Sequence, residues 1–169
     1  MKILRRILVA AASTAVGMAI GGPWALYAAG LANIVGRPEP PAPSSRLSPT
    51  DAAIVWCTLE GSEPVPESLR RLTPHGAIWD FVLEANDLAI GSHTGGALTS
   101  FVARRYNANH ARERRSLWWH WSDGSMSIWL TRHWTLDELL AAAAAELRAY
   151  PPHPRRREAL RARCGELSP

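Results

Sequence analysis

The sequence predicts an all-α domain. Three observations carry that expectation. Helix-start signatures recur along the chain, apolar residues repeat at helical spacing between them, and no useful length alternates apolar and polar as a strand would. No internal repeat is present. A length of 169 residues holds one such domain plus appendages.

Residues 1–36 read as a membrane anchor. After Met-Lys-Ile-Leu-Arg-Arg, the 28 residues from Ile7 to Ile34 carry no charge, and a membrane span needs about 20. Lys2, Arg5 and Arg6 place the N-terminus in the cytoplasm by the positive-inside rule. Trp24 and Tyr27 lie where an aromatic belt belongs. The rival reading is a cleaved signal peptide, whose apolar core is about 7–15 residues. Both readings take the domain out of the cytoplasm.

Residues 37–47 form a Pro-rich linker; four prolines between Arg37 and Ser45 make it extended and semi-rigid. The helical domain spans 48–150. Ser48-Pro-Thr-Asp51 starts its first helix, with Ser as N-cap, Pro in the first turn and an acid near the positive end. That helix reaches about Glu60, and Gly61 to Thr73 is a loop. Thr73-Pro74 opens a second helix with Ile78, Phe81, Val82, Ala85 and Leu88/Ala89 on one face. Gly91 to Gly96 breaks the pattern. A third helix follows from about Ala97 to Tyr106 and a fourth from about Ser116 to Leu130. Thr135-Leu-Asp-Glu138 is a capping box that opens a fifth helix, Leu136 to Ala149, stopped by Pro151-Pro152. Residues 151–169 are a basic tail with a short surface helix.

The formal net charge is +4, and Arg supplies it almost alone, since Lys2 is the single lysine. Arginine favours bidentate recognition of phosphate or carboxylate. Nucleic acid is excluded as a partner because the anchor puts the domain on the other side of the membrane. Cys57 and Cys164 have no metal-ligand spacing; outside the cytoplasm they are either a disulfide or two independent thiols.

Five of the eight tryptophans fall between Trp118 and Trp134. Asp123 sits among them, with Arg114-Arg115 and Arg132-His133 at the flanks. Tryptophan favours positions with one apolar and one wet end. Helical spacing favours a core role for most of these rings, with one or two exposed; a prenyl-chain groove or a bilayer contact is the other reading. The bland reading of Asp123, beside Ser122, Gly124, Ser125 and Ser127, is a polar face turned to water.

Two blocks, Gly95-Gly-Ala-Leu-Thr-Ser-Phe-Val-Ala-Arg-Arg-Tyr-Asn107 and Arg115-Ser-Leu-Trp through Trp134-Thr-Leu-Asp-Glu-Leu-Leu140, resemble the peptidoglycan glycosyltransferase module of family 51. That module occurs in monofunctional transglycosylases and class A penicillin-binding proteins. Its motifs are Gly-Gly-Ser-Thr-(Ile/Leu)-Thr-Gln-Gln-Leu-x-Lys-Asn, an Arg-rich stretch, a helix with a Glu, and a Ser-Lys-x-x-Ile-Leu helix. The resemblance covers roughly residues 50–145, and the family also carries one N-terminal anchor.

The resemblance implies a lysozyme-like helical fold and polymerisation of lipid II, an undecaprenyl-pyrophosphoryl glycan precursor, on the outer face of the cytoplasmic membrane. It implies two catalytic acids, matched here by Glu60 and Asp123. Glu60 lacks the Asp-Arg-x-Phe that follows the family's first Glu, leaving Glu63 and Glu67 as weaker candidates. Asp123 replaces a Glu, and losing about an ångström of reach can cost ~100-fold in rate. Gly95, Gly96, Thr99, Arg104, Arg105 and Arg115 are the implied substrate-binding residues. The glycine pair would offer free N–H groups to an anion, and the arginines would hold pyrophosphate oxygens. Ser100 and Phe101 stand where the family has its Gln pair. The resemblance also implies a divalent metal (Mg or Mn), and other cell-wall synthases as partners. The family module continues beyond the last shared helix, so a chain ending at Pro169 is expected to leave the acceptor side less closed. Three readings remain open: a working transglycosylase, a catalytically silent relative that binds the lipid-linked precursor or a synthase, and a basic helical module held by anionic lipid.

Overall fold

The computed structural model of the chain describes residues 2–42, 46–61, 64–77, 95–113 and 117–167. The described residues are helical, with no strand: α1 (Lys2–Ala32), α2 (Pro49–Glu60), α3 (Gly96–His110), α4 (Leu117–His133), α5 (Leu136–Ala149) and α6 (Pro154–Cys164). The fold is all-α. Thr73 caps a helical turn over residues 74–77 through its hydroxyl, 3.1 Å from the Gly76 N–H. The apolar face expected at Ile78–Ala89 lies outside the described residues, as do Glu63 and Arg115.

The caps form where the sequence places them. The Ser48 hydroxyl accepts the Asp51 N–H at 3.1 Å. Thr135 and Glu138 close both halves of their box, at 3.3 Å (Glu138 N–H to the Thr135 hydroxyl) and 2.6 Å (Thr135 N–H to the Glu138 carboxylate). Together these satisfy backbone donors that a helix start leaves free. α5 buries Leu136, Leu139, Leu140, Ala143, Ala144 and Leu147 on one stripe, the i, i+3, i+4, i+7 pattern of an amphipathic helix. They meet Val55 and Trp56 of α2, Leu98, Val102 and Ala103 of α3, and Met126 and Leu130 of α4 in one core.

α1 is 31 residues long, about 46 Å at 1.5 Å per residue. Among the described residues no helix is long and apolar enough to cross a membrane. Its C-terminal part is built into the domain: Leu31 and Ile34 belong to the core. A Cβ on Gly30 would stand 2.1 Å from the Ser125 hydroxyl of α4, so only glycine allows this approach. Backbone bonds Val35 N–H to His110 (2.9 Å) and Arg112 N–H to Asn33 (2.9 Å) pin the end of α1 to the end of α3. Further up α1, Val16, Met18, Ile20 and Trp24 are exposed.

α4 turns the expected faces around. Ser122, Asp123, Ser125 and Ser127 are buried, while Trp118 is exposed and Trp119, Trp121 and Trp129 are half-buried. Small side chains let α1 and α3 approach α4 closely, where indole rings would not fit. Ser122 donates to the Trp118 carbonyl (2.7 Å) and Ser127 to the Asp123 carbonyl (3.0 Å), four residues back, and Ser122 also accepts the Asn33 amide N–H at 2.9 Å. Asp123 is therefore not a water-facing residue.

Cys57 and Cys164 form a disulfide with Cα atoms 5.6 Å apart, joining α6 to α2 across 107 positions.

Candidate functional site

Asp123 is 7% exposed and lies between α4 and α3. Asn107 donates its amide N–H to Oδ1 at 2.6 Å, and Arg104 donates Nε–H to Oδ2 at 3.3 Å. Arg104 and Asn107 are three residues apart on α3 and so share one face. Burial pushes the Asp123 carboxyl above its ordinary value, while the Asn107 bond, the Arg104 charge and, more weakly, His120 pull it back. An upward shift is the direction that a general base needs.

Asn107 is fully buried and its Oδ1 has no partner among the described residues. An unmade buried bond of this kind costs about 1–3 kcal/mol. The Arg104 side chain is 64% exposed, so one end of the network is wet and the other dry.

Glu60 ends α2 and points at the start of α3. Its Oε1 accepts the Leu98 N–H at 2.5 Å. It thus supplies a carboxylate to a helix N-terminus whose cap residue, Gly95, has no side chain to do so. Gly95 has φ +91°, and a Cβ there would stand 2.2 Å from Leu69 Cδ2. The left-handed backbone favours glycine, and any side chain here would have to displace the Leu69 methyl. Glu60 therefore takes the Leu98 N–H of this helix start, not an N–H of the Gly95-Gly96 pair, and the Leu69 side chain lies beside Gly95. Thr99 is 1% exposed and turns its hydroxyl back onto the Gly95 and Gly96 carbonyls at 3.0 and 3.2 Å.

Arg105 goes elsewhere. It lies 3.9 Å from Glu146 of α5 and stacks over Phe101 and Tyr150, 5.6 and 4.7 Å from their centroids. Asp123 and Arg104 are thus brought together. Glu60, Gly95, Gly96 and Thr99 form a second group at the start of α3, and Arg105 belongs to neither. Leu98 and Asn107 are nine residues apart, which is about 13 Å along a helix, so the two acids do not act on one hydrogen bond. Asn107 had a signal in the sequence: it shares a helix face with Arg104 in the block that carries the resemblance.

Among the described residues no group of three or more His, Cys, Asp or Glu could hold the divalent metal that the resemblance implies. No family model matches the chain, and no curated protein or solved structure is similar to it.

Proposed function

We propose that this chain is a membrane-anchored, peptidoglycan glycosyltransferase-like protein with a lysozyme-like helical domain. It binds or acts on lipid II on the outer face of the cytoplasmic membrane, alone or beside other cell-wall synthases. One observation carries the reading. The two sequence blocks that resemble the family meet in a single network, Asp123 from one and Arg104 and Asn107 from the other. Arg104 takes the pyrophosphate at the wet edge, and Asp123 is the proton acceptor behind it. The uncharged run of α1, the exposed Val16, Met18, Ile20, Trp24 and Trp118, and the Cys57–Cys164 disulfide support an anchored domain in an oxidising compartment.

A second reading, binding without turnover, has its own support. The Glu60 carboxylate is engaged by Leu98, as a helix cap rather than a free acid. Polymerisation of labelled lipid II by the detergent-purified chain separates the two. Glycan strands from the wild type, lost in Asp123→Asn, establish a transglycosylase. Saturable lipid II binding with no strands establishes the silent relative. Neither strands nor binding sinks both.

A further inference from the structure

A cleft of about 680 Å³ lies under α6, bounded by α2, the end of α5 and the segment after Cys164. Ile54, Leu147 and Leu160 give it apolar walls. Its rim is cationic: Arg157 and Arg161 face it, and the single carboxylate between them is Glu166. Glu166 Oε1 is 3.5 Å from Arg157, and its Oε2 is bonded to Arg161. Two guanidiniums thus share one acid, and both arginine side chains are 58% exposed, within reach of an anion from solvent. α6 packs on α2, away from the Asp123 network on α3 and α4. The disulfide and the Arg163 bond to the Cys57 carbonyl (3.3 Å) hold the roof in place.

From this we infer that the cleft is a binding site for an anionic amphiphile, a phosphate or carboxylate head bearing an apolar chain. The head replaces Glu166 between Arg157 and Arg161, and the chain lies against Ile54, Leu147 and Leu160. Guanidinium pairs suit such heads because their N–H groups match two oxygens at once. Glu166 is the built-in competitor, which gives the site a signature that loose packing under a surface helix lacks. The inference does not depend on lipid II recognition, since it uses none of the same residues.

The test titrates the full chain in nanodiscs with hexyl phosphate, hexanoate, hexyl glucoside and inorganic phosphate, with empty nanodiscs subtracted. Saturable binding of hexyl phosphate or hexanoate is expected, and whichever binds tighter identifies the head. Arg157→Ala/Arg161→Ala should weaken it about tenfold or more, the scale of one lost charge-assisted bond. Glu166→Gln, which removes only the competing charge, should tighten it. Equal binding of hexyl glucoside or of inorganic phosphate overturns the proposal, as does no binding, or a Glu166→Gln variant that binds no better than wild type.

Discussion

Glu60 and Asp123 are the two acids the resemblance selects, and they sit in opposite surroundings. Glu60 meets a backbone donor at a helix N-terminus, where the aligned peptide dipoles welcome negative charge. Asp123 is buried on the flank of a helix pair, where desolvation opposes its charge and two side chains only partly compensate. The first arrangement ties a carboxylate into the start of α3. The second sets a buried carboxyl, raised above its ordinary value by desolvation, beside a solvent-facing guanidinium. One acid caps a helix, and the other sits in a buried polar network.

Breaking the Glu60 region outright should have the largest effect. Gly95→Val forces a β-branched residue into φ +91° and into Leu69. Backbone strain of about 1–3 kcal/mol and overpacking of similar size should together lower stability by about 2–6 kcal/mol. Urea denaturation checks it, and a midpoint within error of wild type would remove Leu69 and the Gly95 backbone from the account.

Truncating Asp123 comes next. Asp123→Ala strips the Asn107 amide of its acceptor in a dry place, for about 1–3 kcal/mol. Glu60→Ala leaves one helix-start N–H without its carboxylate, and cap losses are about 1 kcal/mol. Glu60→Gln keeps an acceptor oxygen and should lose less. If Glu60→Ala proves the more damaging of the two truncations, the two regions have been assigned the wrong way round.

The smallest effect is in pH dependence. Because the folded Asp123 carboxyl is raised above the ordinary 3.8, the folded state holds more protons than the unfolded one between that value and the raised one. Stability from this group therefore falls as pH climbs through that window, and is recovered below it. Asp123→Asn should flatten this segment of the stability profile. Melting temperatures measured from pH 3 to pH 8 for wild type and variant would show whether the slope changes.

How much of this was legible depended on how local the signal was. The Ser48 cap, the Thr135–Glu138 box and the Leu/Ala stripe of α5 are each set by residues within a turn or two, and they stand where the sequence places them. The faces of α4 were not legible. Of the tryptophan run only Trp118 is exposed and Trp134 is in the core, as its spacing suggested, but the close approach of the helices is provided by the serines and Gly30 while Trp119, Trp121 and Trp129 stay half-buried. The anchor reading of residues 1–36 hid the fact that Leu31 and Ile34, at the end of the uncharged run, belong to the domain core. Arg104 and Arg105 look equivalent as a pair, but neighbours on a helix are 100° apart. One therefore meets Asp123 and the other meets Glu146 and Tyr150. The role of Glu60 as the cap of α3 joins residues 38 positions apart and follows only from the packing of α2 on α3.

That difference between adjacent arginines gives the most direct test of the central claim, that the Asp123–Arg104–Asn107 network is where lipid II binds. Lipid II affinity should be measured for the nanodisc-embedded wild type, Arg104→Ala and Arg105→Ala. Losing the guanidinium at Arg104 should weaken binding about tenfold or more, the scale of one charge-assisted bond, while Arg105→Ala binds like wild type. Equal losses in the two variants, or a loss confined to Arg105→Ala, would contradict the account.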